Sequence, residues 1–286
     1  MNQLLSPRDV FRALSSYSGP DVFTGVLRPW VDGCAARLRD EFGPLAVCGG
    51  WRRDVYVFGD LLEQAYALSR VSDVLLLGFQ PVLPCGSEQP WVHALHTDVA
   101  WPQISADQYL AVFTALGTTP IEVPAFDPFF HEIVAVDQDD DPDAPITITG
   151  TVWPGLMFGE LLFGREGVRV RAGIHHAVAG IADRSPLYEV FLRRQRETCD
   201  GSMGWGHNSQ WKTDFRRDNL TADAFHLNVD GEADIDEPED PPIGLSAEER
   251  RDLLRNRCLV RAPADDAAGR NAWPGRWRAT INRPAA

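Results

Sequence analysis

The chain has 286 residues, 44% of them hydrophobic and 24% charged, with a formal net charge of -14 at pH 7. That composition is an ordinary globular one and excludes wholesale disorder and collagen-like repeats, while the negative charge argues against binding nucleic acid or anionic membranes, which need a concentrated positive field. No run approaches the roughly 18 uninterrupted apolar residues of a membrane helix, and the polar start Met1-Asn2-Gln3 lacks a secretion-signal pattern, so a cytoplasmic location is expected.

In chain order, Ser6-Pro7-Arg8-Asp9 sets a capping residue before a proline at the first helical position. Val10, Phe11 and Leu14 then recur at helical spacing and predict a short helix. Helices are also predicted from about Trp30 to Phe42 and from Asp60 to Leu68, the latter with Leu61, Leu62, Ala65 and Leu68 on one face. Leu45-Ala46-Val47-Cys48, Val55-Tyr56-Val57-Phe58 and Val74-Leu75-Leu76-Leu77 have strand composition, which makes residues 1–104 a mixed α/β region.

Residues 105–230 are expected to form a β-rich region. It opens on Ser105-Ala106-Asp107-Gln108, the Ser-x-x-Gln capping box, and Tyr109, Leu110, Phe113 and Leu116 continue a helix that Gly117 stops. Ile133-Val134-Ala135-Val136, Ile146-Thr147-Ile148-Thr149 and Val168-Arg169-Val170-Arg171 predict an antiparallel β unit, with Phe126 and Phe130 largely buried. A helix is predicted from about Ser185 to Arg196. Gly231 to Pro242 is acidic and proline-rich and reads as a mobile linker within 231–244. Ser246-Ala247-Glu248-Glu249 then caps a helix to about Arg257 within a C-terminal segment, 245–286. The fold class predicted from these elements is α+β.

The most distinctive motif is Phe126-Asp127-Pro128-Phe129-Phe130-His131-Glu132-Ile133-Val134. It resembles the F-D-P-x-x-H-E-A-V signature that opens the β-rich head of the GrpE family, the nucleotide-exchange co-chaperones of DnaK-type chaperones. Leu116-Gly117-Thr118-Thr119-Pro120-Ile121 looks like the approach to that signature, Trp153-Pro154-Gly155 to Gly159 like the family's glycine-aromatic-leucine turn, and Val168-Arg169-Val170 like its closing strand. The resemblance covers about Asp107 to Gly173 and implies a head-like module whose signature residues Phe126, Asp127, Pro128, His131, Glu132, Pro154 and Gly155 are structural or partner-facing. Phe163-Gly164-Arg165-Glu166 stands where the family carries leucine-arginine-proline-alanine, and no long heptad run precedes Asp107, so exchange activity is expected to be absent or weak. Read without the family, Pro128 fixes a turn, Asp127 caps backbone amides and the three phenylalanines fill a small core.

A second concentration of chemistry runs from Gly204 to Asp218, where aromatics, amides and paired arginines give the composition of a recognition surface. Trp205, His207, Asn208, Gln210, Trp211, Arg216 and Arg217 are the candidate partner-binding residues. No metal is expected: Cys34, Cys48, Cys85, Cys199 and Cys258 lack C-x-x-C spacing, His93 and His96 have no carboxylate set, His175 and His176 point apart, and Asp139, Asp140, Asp141 and Asp143 lack a calcium-loop frame. No catalytic or cofactor fingerprint occurs, so no cofactor is expected. These features predict a protein that recognises another protein. Two alternatives stand beside it: an immunity-type protein neutralising a toxin, from the acidic charge, and a small enzyme with a pocket around His207.

Overall fold

The computed structural model describes residues 6–52, 61–79, 102–183, 211, 213–237, 246–261 and 277–283. The fold is α+β, and the chain divides into two units, Met1–Thr119 with Arg194–Phe215, and Pro120–Arg193 with Arg216–Ala286. The division falls after the helix expected to open the β region, because that helix packs with the other helices. The predicted boundary at 104/105 is corrected accordingly.

The first unit holds helices α1 (Pro7–Ser15), α2 (Arg28–Phe42), α3 (Leu61–Leu76) and α4 (Ala106–Ala115). Reciprocal caps start α1 and α4 as their sequences require: the Asp9 N–H donates to Ser6 Oγ (3.2 Å) and the Gln108 N–H to Ser105 Oγ (3.2 Å). Gly117, at φ +99°, closes α4 in a conformation that side chains resist. Two predicted strands are helical instead. Gly43-Pro44-Leu45-Ala46 is a 3-10 turn, and Val74 to Leu76 ends α3, which is buried nearly all round. A short apolar run looks alike in a buried strand and a buried helix, so the local pattern did not separate the two. The described residues before Thr119 are therefore helical rather than mixed α/β; Val55 to Phe58 lie outside the described residues.

The second unit is built from β1 (Thr119–Pro120), which begins at the division, β2 (His131–Gln138), β3 (Thr147–Trp153), β4 (Leu156–Phe158), β5 (Leu161–Gly164), β6 (Glu166–Ala172), β7 (Asn219–Leu220), β8 (Ala224–Leu227), β9 (Ala233–Asp234), α5 (Ala247–Asn256) and β10 (Trp277–Asn282). One sheet has the order β1-β4-β5-β7-β8-β10-β9 and a smaller one the order β2-β6-β3. β3 is antiparallel to β6, but β2 runs parallel to it, so the expected antiparallel unit is a mixed sheet. The cause is topological: β4 and β5 leave for the larger sheet, and β6 returns between β2 and β3 instead of extending a meander.

Ile133, Val168, Val170 and Ala172 fill one core with Ala177, Ala182, Cys258 and Val260, and Phe129, Met157, Leu162 and Leu227 fill another with Leu253 and Leu254 of α5. Phe129 is the buried phenylalanine of the signature, whereas Phe126 and Phe130, expected to be buried, are half-buried against these cores.

The acidic stretch is also corrected. β9 pairs in parallel with β10, the Ile235 N–H donates to Arg278 O (2.9 Å), Ile235 is buried, and Gly231 lies so close to Trp277 that a Cβ would meet its carbonyl. One apolar side chain and a short ladder dock residues 231–237 despite their charge; residues 238–245 lie outside the described residues. α5 is capped as predicted, the Glu249 N–H donating to Ser246 Oγ (3.2 Å). The segment after it does not end as a helix and tail, because β10 takes an interior place between β8 and β9. The predicted Ser185–Arg196 helix lies outside the described residues.

Candidate functional site

The signature is held together from within. Asp127 Oδ1 accepts the Phe129 N–H (2.8 Å), which makes the turn that Pro128 favours. The His131 ring closes the loop over itself: Nδ1 accepts the Asp127 N–H (3.0 Å), and Nε2 is left to donate to Val123 O (3.1 Å). Phe126 stacks on that ring at 5.8 Å between centroids. Gly155 is buried where a Cβ would strike the Glu166 backbone, and its carbonyl accepts the Ile121 N–H (3.0 Å), while Pro154 is half-buried. His131 and Glu132 are both buried as strand neighbours, so they do not form one acid-base pair. Phe126, Asp127, His131 and Gly155 thus each have a structural task.

A buried charge cluster lies around Asp218, which Arg216 Nε (3.0 Å), Arg257 Nη2 (2.6 Å) and the Asn228 N–H (2.6 Å) all reach. Burial opposes ionisation of this carboxyl, yet Arg216, Arg257 and the Asn228 N–H outweigh it and hold Asp218 well below the usual carboxylate range. Arg216 and a further arginine, Arg165, also serve α5, whose last carbonyls have no helical donors of their own. Arg216 Nη2 donates to Leu254 O (2.9 Å), and Arg165, buried, donates to Asn256 O (2.7 Å) and Arg255 O (3.3 Å). Two guanidinium groups at the negative end of the helix dipole therefore complete its C-terminus. Arg257 follows in the left-handed conformation (φ +55°), which swings its side chain back onto Asp218. Asn228 Nδ2 extends the network to Trp277 O (2.7 Å), tying β10 to the same point.

This cluster reassigns the described part of the predicted recognition segment. Trp211 is buried with its edge on Phe11 (5.2 Å) and Arg8 above it (5.3 Å). Arg216 joins the α5 latch, and Arg217 is buried in a two-pronged pair with Asp230. These three residues are packing and latch residues rather than a displayed surface, because aromatics with arginines are as well suited to a satisfied buried network as to an interface. Trp205, His207, Asn208 and Gln210 lie outside the described residues. Arg257 and Asn228 at Asp218, and Arg165 at the end of α5, carry no local signal in the sequence, since only the return of the chain brings these groups together.

The acidic turn is solvated: Asp139 and Asp141 accept the N–H groups of Asp141 and Asp143 (both 3.0 Å), and exposed His175 Nδ1 meets Asp143 Oδ1 at 2.8 Å. No group of three or more metal-binding side chains gathers among the described residues. No helix among them is long and apolar enough to cross a membrane.

The displayed feature of the second unit is the outer side of the small sheet. β3 is an edge strand, its side chains alternate between exposed and half-buried from Thr147 to Val152, and that stretch carries neither charge nor proline. Bulges at Thr149 and Val152 interrupt its pairing with β6. Across the sheet, exposed Arg169 stands between Ala135 and Gly150, and exposed Arg171 between Asp137 and Thr147. A Cβ added at Gly150 would meet open space. No family model, curated protein or solved structure matches the chain.

Proposed function

We propose that the protein works by recognising another protein, and that the second unit, whose signature resembles a GrpE-type head, carries a recognition surface at the edge and outer side of β3. The single observation behind this reading is the uncharged, exposed edge strand Thr147–Val152. An edge strand offers backbone donors and acceptors to an extended partner, and β-augmentation uses them for affinity. The two bulges twist this edge and guard it against indiscriminate pairing, which favours a specific partner over self-association. The buried thiol Cys34 suits a reducing compartment.

Blocking the edge tests the reading. Gly150→Trp puts a large side chain into open space, so the fold tolerates it while the outer side of β3 is covered. Tandem purification of the wild-type protein from its native host should retain a stoichiometric partner that the variant loses at unchanged thermal stability. Retention by the folded variant refutes the reading. Nucleotide exchange is not part of it: stopped-flow release of a labelled nucleotide from a DnaK-type chaperone is expected to proceed at its basal rate, and strong acceleration would instead assign a co-chaperone role.

A further inference from the structure

We infer that the partner seated on this surface presents an extended acidic segment with carboxylates at alternate residues, which pair with Arg169 and Arg171 across β3. The inference rests on the recognition reading and specifies its chemistry. Arg169 and Arg171 are exposed on one side of β6, two residues apart, and among the described residues neither guanidinium has a hydrogen-bond or ion-pair partner. In a chain with 41 acidic and 27 basic side chains, two such arginines side by side are a local reversal of the overall charge. Asp137 lies directly opposite Arg171 in the sheet without pairing to it.

The geometry selects the ligand. Residues i and i+2 of a strand lie roughly 6.6–6.8 Å apart on one side, and an extended segment with carboxylates at alternate positions repeats that spacing. Each guanidinium can then take one carboxylate in a two-pronged, charge-assisted pair. The neighbours keep the approach open, because Arg169 is flanked by Ala135 and Gly150, and a Cβ added at Gly150 has nothing within 4 Å. Thr147, opposite Arg171, adds a hydroxyl at the edge. A polyphosphate is the less favoured occupant: Asp137, Asp139, Asp140, Asp141 and Asp143 border this surface, and their field opposes a long polyanion more than a short peptide with two or three charges.

The test uses the full chain and a fluorescein-labelled hexapeptide alternating glutamate and threonine, followed by fluorescence anisotropy at low ionic strength, where exposed charges are least screened. Saturable binding is expected, weakened about tenfold or more by Arg169→Ala/Arg171→Ala at unchanged melting temperature. The reversal Arg169→Glu/Arg171→Glu should prefer the matching lysine-threonine peptide. A peptide of the same composition with its glutamates contiguous should bind more weakly than the alternating one. No saturable binding, equal affinity of wild type and the double alanine variant, or displacement by single-stranded oligonucleotide at equal charge each overturns the inference. Failure here is separable from failure of the recognition reading: a natural partner lost on Gly150→Trp but retained by Arg169→Ala/Arg171→Ala leaves recognition standing without its acidic ligand, and a partner retained by both variants removes the edge itself.

Discussion

Replacing Asp218 by asparagine removes a charge while nearly preserving shape, and it isolates the latch that joins α5 and β10 within the second unit. In the folded protein the Asp218 side chain is 2% exposed and is paired with Arg216 and Arg257, themselves 12% and 15% exposed. Deleting one partner of a buried ion pair costs about 3–5 kcal/mol, because the remaining charge stays buried without compensation. The slight solvent access of the two arginines puts the expected loss at the lower end, about 3 kcal/mol, or roughly 6–12 °C in melting temperature for a unit of this size. The pH dependence has a definite sign. The folded-state pKa of Asp218 is depressed, so its contribution is fully present above the ordinary carboxylate pKa of about 3.9, begins to fall there and is lost only as pH drops through the depressed folded value. Circular-dichroism melts of wild type and Asp218→Asn should therefore be separated by a constant gap from neutral pH down to about 5, and the gap should shrink progressively below about 4. A gap under about 2 °C at neutral pH, or one that persists undiminished in acid, would refute the account of Asp218 as the charge that balances these arginines.

Two further outcomes follow from packing. In Gly167→Ala the new methyl must displace the Trp153 ring, which is buried and anchored by its Nε1–H to Arg165 O (3.0 Å), so a loss of about 1–3 kcal/mol is expected in denaturant titration; an unchanged midpoint would show that the ring can yield. Burial pushes the Cys34 thiol up to about 11 against the opposing pull of Arg37, so the native protein at pH 8 should leave Cys34 unmodified by a thiol-exchange reagent, and rapid labelling mapped there by mass spectrometry would contradict its burial.

The features legible from the residues alone are local ones. The caps at Ser6, Ser105 and Ser246 form as their spacing requires, because each involves hydrogen bonds spanning three residues and no distant partner. The turn at Asp127 and the strands through Ile133, Ile148 and Val168 were legible for the same reason, since a turn and a β-branched run act over a few bonds. Tertiary structure decided what depends on residues far apart in the chain. Whether Val74 to Leu76 lies in a strand or a helix depends on what buries it, and whether β2 runs parallel to β6 depends on where the chain returns after β5. The acidic stretch at 231–237 docks because β10 arrives beside it from more than forty residues on. Arg216 and Arg217 turn inward rather than outward because Asp218, the Leu254 carbonyl and Asp230 complete their bonding, and a guanidinium goes where its acceptors are. The open side at Arg169 and Arg171 was present in the sequence as an alternation of valine and arginine, but only the pairing that sets Ala135 and Gly150 on either side of Arg169 makes it a surface.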